Sequence, residues 1–256
     1  IYNELDGTFP NHEANPLAAE NREDLKELLL ENDSDIGLIF DGDGDRVMFL
    51  DENGEFISPD LIIALLAEYY INQGKGKNIL CDIRTSWSVT EHIEELGGEY
   101  FLWKVGHAYA KLKLREIDGI CGGELAGHYY YKDFFYCDSG MLTALIVLNV
   151  AARLKKEGKT ISELIAEFDK YASSGEVNFK IDNKKEVMER LKDYYLDKEA
   201  PNEFYDFDGY RLEYNDWWFN VRPSNTEPYL RLVVEASTQE LLDKKLEEIE
   251  EVMNVK

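Results

Sequence analysis

The chain has 256 residues, with 52 acidic against 28 basic side chains and a formal net charge of −24. A field of that sign repels nucleic acids and anionic membranes, so we expect neither as a partner. No apolar run is long enough to span a bilayer, and the three cysteines form no C-x-x-C pair. This composition predicts a reduced, cytoplasmic protein with apolar residues enough for more than one core.

Three elements are predicted before residue 58. Leucines at helical spacing predict an amphipathic helix within 15–32. The apolar run "DIGLIF" at 35–40 has the pattern of a buried parallel strand. The segment "VMFLDENGEFIS" at 47–58 predicts a hairpin that turns at Asn53-Gly54.

Helices and strands alternate in the next part of the chain. Ser58 as N-cap and Pro59 at the first helical position predict a helix over 58–74. Strand, helix, strand and helix then follow at 78–83, 88–96, 99–105 and 107–117. This alternation predicts an α/β domain with a doubly wound mixed sheet whose successive strands are parallel, covered by a long apolar helix over 138–158.

The pattern changes beyond about residue 170. Short strands and two charged helices predict a small α+β domain at the C-terminus. We therefore expect three parts. Residues 1–55 precede the α/β domain, which covers residues 56–170, and residues 171–256 form the α+β domain.

The segment "FDGDGDRVMF" places three aspartates at alternate positions, with glycines between them and an arginine behind. Carboxylates held this closely raise one another's pKa values unless a cation lies among them. Ligands that are all oxygens favour Mg²⁺ or Ca²⁺, so Asp41, Asp43 and Asp45 are candidate metal ligands. A cation held by three ligands keeps positions open for a phosphate, whose other oxygens Arg46 would contact.

Two other interpretations fit residues 41–46, the aspartate loop, less well. A calcium-binding EF-hand needs glycine at its sixth position, and Arg46 stands there. A strand enters the loop and a hairpin leaves it, whereas an EF-hand needs helices on both sides. The remaining alternative is a solvated acidic turn that binds no metal.

Three further segments carry polar side chains near predicted strand ends. The glycine-rich "CGGELAGHYY", placed after a strand that ends at "GI", holds Glu124 and His128, which would bind sugar hydroxyls and transfer a proton. The segment "WKVGHAY" offers Lys104 and His107 where a strand meets a helix N-terminus, a natural anion site. The segment "CDIRTS" places Arg84 at an equivalent strand end. The ordinary alternatives are a structural histidine and a surface arginine.

One loop near the C-terminus combines a guanidinium with hydroxyl and amide groups. In "VRPSNTEPYLR" these groups belong to Arg222, Ser224, Asn225 and Thr226. A guanidinium fork surrounded by such donors suits a phosphate dianion. An ordinary Ser/Asn/Thr turn is the alternative.

Together these segments resemble the α-D-phosphohexomutase family, in its phosphomannomutase/phosphoglucomutase branch, over essentially the whole chain. "DGDGDR" looks like the family's magnesium loop, "KVGHAYAK" like its histidine segment, "GGELAGH" like its sugar-recognition loop and "RPSNTEP" like its phosphate-binding loop. The resemblance implies an isomerase of carbohydrate metabolism that moves phosphate between O1 and O6 of a hexose. Its partners would be mannose or glucose 1- and 6-phosphates and a hexose 1,6-bisphosphate.

The resemblance also implies roles for the candidate residues, with Mg²⁺ as the cofactor. The metal ligands would be Asp41, Asp43 and Asp45. The catalytic residues would be Arg46, His128 and His107, with either histidine transferring protons. The substrate-binding residues would be Arg84, Lys104, Glu124, Arg222, Ser224, Asn225 and Thr226.

Two departures from the family pattern stand out. Ala126 occupies a position where the sugar-recognition loop commonly carries serine, which removes one hydroxyl contact to the sugar. The chain also begins at Ile1 rather than Met, and it contains no "TASHNP"-like segment to carry the phosphorylated serine. The resemblance therefore implies a piece of a longer phosphoprotein, inactive by itself, in which residues 1–55 are the C-terminal remnant of a preceding domain similar to the α/β domain.

Two functional alternatives remain open: a phosphoglucosamine mutase, and a non-catalytic module that binds sugar phosphate or Mg²⁺. Glucosamine-type mutases would carry glycine where Asn225 stands, which favours mannose or glucose phosphates.

Overall fold

The computed structural model describes residues 1–4, 6–224 and 228–253 of the chain. The chain divides into two compact units, Ile1–Asp169 and Lys170–Lys256. Among the described residues, no helix combines the length and the apolar character that crossing a membrane requires.

The first unit opens with a small antiparallel sheet in the order β1-β2-β3. A turn of 3-10 helix (Ala19–Arg22) precedes helix α1 (Glu23–Glu31), and the strands are β1 (Gly37–Phe40), β2 (Val47–Leu50) and β3 (Phe56–Ile57). The predicted hairpin between β2 and β3 is confirmed, and Asp51 accepts hydrogen bonds from two backbone N–H groups in its turn. The expectation of a parallel β1 is wrong, because the short aspartate loop returns the chain antiparallel onto β2.

The second sheet of this unit has five strands in the order β5-β4-β6-β7-β8. These are β4 (Asn78–Asp82), β5 (Glu99–Trp103), β6 (Cys121–Gly123), β7 (Tyr129–Tyr131) and β8 (Cys137–Asp138). β4 runs parallel to both β5 and β6, as the alternation predicts, and the antiparallel β7 and β8 make the sheet mixed. The strand expected to end at Ile120 instead lies at Cys121–Gly123, so the glycine-rich loop is confined to residues 124–128.

Helices cover both faces of this mixed sheet. They are α2 (Pro59–Ile71), α3 (Trp87–Glu95), α4 (His107–Glu116), α5 (Gly140–Glu157) and α6 (Ile161–Phe168). Successive residues of β4 face opposite sides: Ile79 belongs to the large core that includes α2 and α5, and Leu80 packs with α4. Ser58 is the N-cap residue of α2, but its hydroxyl donates to Asp60 instead of capping the helix.

The second unit is the small α+β domain that the sequence predicts. Its strands are β9 (Ala172–Ser173), β10 (Val177–Lys180), β11 (Glu203–Tyr205), β12 (Tyr210–Glu213), β13 (Trp217–Pro223) and β14 (Tyr229–Ala236). All the described strand pairs in it are antiparallel, in the order β10-β14-β13-β12-β11 with β9 beside β14. Helices α7 (Lys184–Lys198) and α8 (Gln239–Met253) pack on the sheet over an aromatic core.

Candidate active site

The aspartate loop connects β1 to β2 and brings its three carboxylates together. One ligand oxygen from each of Asp41, Asp43 and Asp45 lies within 4.8 Å of the others. Asp41 organises the loop, since its carboxylate accepts from the backbone N–H groups of Gly44 and Arg46, each at 3.1 Å. The Arg46 Nε also donates to Asp41 at 2.7 Å. The loop therefore presents two less engaged carboxylates beside one that is held firmly.

Asp41 and Asp45 differ in how far their surroundings compensate a negative charge. Burial opposes ionisation of Asp41, but its hydrogen bonds from Arg46 outweigh burial and lower the pKa of that carboxyl. Burial raises the pKa of Asp45; His128 partly opposes the rise, and the charges of Asp41 and Asp43 add to it. An all-carboxylate oxygen set with this excess of negative charge fits a hard divalent cation.

The N-terminus of α5 packs directly against the aspartate loop. A Cβ atom at Gly140 would lie 2.8 Å from the Gly44 carbonyl oxygen, so only glycine allows this approach. Ser139 caps the helix, because its hydroxyl accepts from the Leu142 N–H at 3.1 Å. The positive end of an 18-residue helix therefore adds favourable potential for anions at this edge.

Residues 124–128 connect β6 to β7 at the same edge. They lie in the predicted sugar-recognition segment and are called the sugar loop below. Gly127 has a φ of +88° and donates its N–H to the Glu124 carbonyl at 2.8 Å. The Val47 N–H donates to the Gly127 carbonyl at 3.3 Å, and Arg46 and His128 form an antiparallel bridge. Backbone hydrogen bonds thus join the sugar loop to the aspartate loop.

Glu124 is almost completely buried, with 2% of its surface exposed. Its Oε2 accepts from the Gly106 N–H at 3.1 Å, and its Oε1 accepts from the Tyr130 hydroxyl at 2.6 Å. Burial raises the pKa of this carboxyl. Glu124 therefore fastens the sugar loop to the start of α4.

His128 is paired with a carboxylate. Its Nδ1 lies 3.0 Å from Asp138 Oδ2 and 3.7 Å from Asp45 Oδ2, and Lys111 Nζ lies 2.8 Å from Asp138 Oδ1. Burial disfavours the imidazolium, but the hydrogen bond to Asp138 and the charges of Glu124 and Asp45 raise the pKa of His128. Burial also opposes ionisation of Asp138, yet hydrogen bonds from His128 and Lys111 hold its pKa well below the usual range. Sequence reasoning missed both Asp138 and Lys111.

His107 and Lys104 follow β5 at the same edge. The exposed His107 ring stacks near His128, with the ring centroids 6.1 Å apart, and its Nδ1 lies 3.3 Å from Lys111 Nζ. Lys104 Nζ lies 5.9 Å from the centre of the Tyr109 ring. The two predicted histidines therefore lie beside each other. Lys111 contacts His107 directly and also contacts Asp138, the carboxylate that His128 binds.

Arg84 is buried, so the surface-arginine alternative is wrong. Its Nη2 lies 2.6 Å from Asp82 Oδ2, at the end of β4. Burial opposes ionisation of Asp82, but the charge and hydrogen bonds of Arg84 lower the pKa of that carboxyl. Arg84, one residue beyond the predicted strand end, thus forms a buried ion pair with Asp82.

The predicted phosphate-binding loop belongs to the second unit. Arg222 is buried in β13 with its Nε 3.5 Å from Asp208 Oδ1, and the Ser224 N–H donates to the Tyr229 carbonyl at 2.9 Å. Asn225 and Thr226 lie outside the described residues. The described part of the loop therefore holds a guanidinium and a serine at a hairpin end.

Known proteins resemble this chain along its whole length. Models of the phosphoglucomutase/phosphomannomutase family match it in sequence: alpha/beta/alpha domain II at residues 1–54, alpha/beta/alpha domain III at 58–171 and the C-terminal domain at 176–252. The phosphomannomutase of Methanocaldococcus jannaschii is 38% identical over 248 residues, 97% of this chain and 54% of that protein. The phosphomannomutase of Vibrio cholerae is 39% identical over 251 residues, 97% of this chain and 53% of that protein.

A solved structure agrees with these matches. A phosphoglucomutase/phosphomannomutase family protein from Burkholderia thailandensis superposes with a TM-score of 0.85 at 31% identity, covering 99% of this chain and 54% of that one. The chain spans about half the length of these relatives. The matched domains and the shared fold confirm the resemblance: this chain belongs to the phosphoglucomutase/phosphomannomutase family.

Proposed function

We propose that this chain is the C-terminal part of a phosphomannomutase/phosphoglucomutase, which interconverts hexose 1-phosphates and hexose 6-phosphates through a hexose 1,6-bisphosphate. The observation that carries the proposal is the single edge of Ile1–Asp169 at which the aspartate loop, the sugar loop and the His128–Asp138 pair meet. The names of the relatives and the matched domains support the same activity. The phosphorylated serine would lie outside residues 1–256, which contain no "TASHNP"-like segment.

Mg²⁺ is the proposed cofactor, held by Asp41, Asp43 and Asp45. When bound, it would supply positive charge that stabilises the phosphoryl group during transfer. Arg46, already oriented by Asp41 beside those carboxylates, would contact oxygens of the same phosphate. The N-terminus of α5 adds to this favourable potential, because Gly140 lets it approach the loop.

His128 is the proposed proton-transfer residue. Asp138 accepts the Nδ1–H of its imidazole, which leaves Nε2 to exchange a proton with a sugar hydroxyl. Asp138 stays ionised because Lys111 also binds it. His107 has a cation at its Nδ1 instead of a carboxylate, so its proposed role is to bind substrate beside His128.

The remaining candidates are proposed to bind the substrate. Each Glu124 oxygen accepts one hydrogen bond in the structure and keeps a lone pair for a sugar hydroxyl. Arg84 and Lys104 would add positive charge at the same edge. The resting phosphate would be held by Arg222, Ser224, Asn225 and Thr226. We also propose the boundaries 1–55, 56–170 and 171–256, and a cytoplasmic location, which three free cysteines support.

A coupled assay tests the activity. The complete protein that contains this chain, with Mg²⁺ and a bisphosphate primer, should turn over glucose 1-phosphate and mannose 1-phosphate. Residues 1–256 alone should bind phosphosugar weakly without turnover, because the donor serine is missing. Turnover of glucosamine 1-phosphate alone would identify a phosphoglucosamine mutase. Absence of turnover with every substrate would leave only a binding module.

A further inference from the structure

A buried carboxylate outside the aspartate loop joins two other parts of the site. Asp82 ends β4 with 2% of its surface exposed. Its Oδ1 accepts from the Arg84 N–H at 2.6 Å and from Arg84 Nε at 3.1 Å. Its Oδ2 accepts from Arg84 Nη2 at 2.6 Å and from the Leu125 N–H at 2.7 Å. One side chain thus binds both a candidate substrate-binding arginine and the backbone of the sugar loop.

We propose that Asp82 is a positioning residue that fastens the sugar loop to the end of β4 and so sets the affinity for the sugar. The effect on affinity rests on the function proposed above; the fastening itself does not. Asp82 would not touch the substrate, since it acts through Leu125 and the adjoining Glu124.

The strand register explains why a side chain is needed at this point. β4 and β6 are paired in parallel up to Cys81 opposite Gly123, and the described pairing ends there. The backbone of the sugar loop then turns, with the Gly127 N–H donating back to the Glu124 carbonyl. The Asp82 carboxylate continues the connection between the two strands by binding the Leu125 N–H. A charged acceptor makes this hydrogen bond stronger than a neutral ladder bond.

The competing explanation is that Asp82 merely balances the charge of Arg84. Removing one member of a buried ion pair leaves the other uncompensated and destabilises the whole unit, whereas removing both is far less damaging. Asp82→Asn combined with Arg84→Met keeps an oxygen acceptor for the Leu125 N–H and leaves neither charge unpaired. Asp82→Ala combined with Arg84→Met lacks that acceptor and leaves no guanidinium unpaired. Comparing these two variants isolates the bond to the loop.

Amide hydrogen exchange of residues 1–256, followed by NMR, tests the fastening without any assay of activity. We expect the Leu125 amide to exchange roughly 2- to 13-fold faster in Asp82→Ala/Arg84→Met than in Asp82→Asn/Arg84→Met, as loss of a neutral hydrogen bond predicts. Amides of β4 should exchange alike in both variants. Asp51→Asn alters a buried carboxylate in the turn between β2 and β3 and should leave Leu125 exchange unchanged.

The kinetic test uses the complete protein. The KM for the phosphosugar should rise by about threefold or more from Asp82→Asn/Arg84→Met to Asp82→Ala/Arg84→Met, with kcat within about twofold. Equal Leu125 exchange in the two variants, or faster exchange spread evenly over β4 and β6, would overturn the fastening. Faster Leu125 exchange with unchanged KM would overturn its effect on affinity. A wild-type protein without turnover would refute the proposed function, and Leu125 exchange would still decide the fastening.

Discussion

The aspartate loop and the sugar loop meet at one edge of the first unit, yet their polar groups are satisfied in opposite ways. In the sugar loop, Glu124 is buried with a donor on each oxygen, and the Leu125 and Gly127 N–H groups are bonded within the protein. In the aspartate loop, Asp43 is exposed, and burial and neighbouring charges raise the pKa of Asp45. One loop is complete within the chain, whereas the other keeps an excess of negative charge that the proposed Mg²⁺ would offset.

This contrast suits the two loops to different tasks. Side chains that recognise a sugar gain from being fixed beforehand, because little ordering remains when the substrate binds. Carboxylates that hold a cation gain from mutual repulsion in its absence, since the cation relieves it on binding. His128, the last residue of the sugar loop, is held by Asp138 and has its Nδ1 3.7 Å from Asp45 Oδ2, so it is a fixed group next to the aspartate loop.

The largest loss of activity should come from a change in the His128–Asp138 pair. His128→Gln should lower kcat in the complete protein by about 100- to 10,000-fold with little change in KM, because proton transfer is lost while binding remains. His92→Gln is the matched control, since His92 contacts Glu68 at another part of the unit. A His128→Gln enzyme with kcat within threefold of wild type would reassign proton transfer, with His107 the next candidate.

The next largest loss of activity should come from the aspartate loop, where Mg²⁺ is proposed to bind. Asp43→Asn should lower kcat by about 100- to 1,000-fold at limiting magnesium, because the cation that stabilises the transferred phosphoryl group binds less tightly. Calorimetry on residues 1–256 should show Mg²⁺ affinity reduced in Asp43→Asn and unchanged in Glu31→Gln, an exposed acid at the end of α1. Normal turnover by Asp43→Asn would refute the metal site.

Binding of magnesium should also raise the free energy of unfolding of the chain. At a concentration of 100 times its Kd it should stabilise the folded chain by about 2.7 kcal/mol. Thermal unfolding with and without EDTA measures this difference. Asp43→Asn should show little of it, and a stabilisation equal to wild type would place the cation elsewhere.

Much of this arrangement was predictable because its signals are local. The spaced aspartates and the alternation of helix and strand lie within short segments, so they identified the aspartate loop and the mixed sheet. Strand β6 was predicted to end too early, at Ile120, because "CGG" has the composition of a loop. The structure gives another reason for Gly122: a Cβ atom there would lie 2.5 Å from the Leu80 carbonyl oxygen. Gly122 therefore allows β6 to pack closely against β4.

The missed site residues acquire their roles only through the fold. Asp82 binds a backbone N–H 43 positions further along the chain, and no spacing rule connects the two. Asp138 directly precedes the N-cap of α5, where an acidic residue is unremarkable until β8 places it against His128. The antiparallel direction of β1 was also hidden, because apolar runs in either direction look alike.

A smaller effect is expected for the phosphate loop of the second unit. Arg222→Ala should weaken phosphosugar binding by about 10- to 150-fold, because a charge-assisted contact to the phosphate is lost. Titration with the unphosphorylated sugar should show no change. Lys244→Ala, an exposed cation on α8, controls for net charge. If Arg222→Ala weakened binding of the phosphosugar and of the unphosphorylated sugar equally, the loop would not be a phosphate-binding site.

The smallest expected effect compares one glycine from each loop. Gly44 and Gly127 both have left-handed backbone, with φ of +76° and +88°. Alanine costs about 1–2 kcal/mol of unfolding free energy in that conformation at either position. At Gly44 a Cβ atom meets nothing within 4 Å, whereas at Gly127 it would collide with the Met48 side chain and lie 3.4 Å from the Val47 carbonyl oxygen.

Gly127→Ala should therefore destabilise the first unit by about 1 kcal/mol more than Gly44→Ala, because overpacking adds to the backbone strain. Urea unfolding in EDTA, followed by amide signals of Ile1–Asp169, measures both variants without a bound cation. Shortening the obstructing side chain with Met48→Ala should reduce the difference, since the colliding atoms are then gone. If Gly44→Ala proved as costly as Gly127→Ala, the aspartate loop would be as tightly packed as the sugar loop, and the contrast between them would fail.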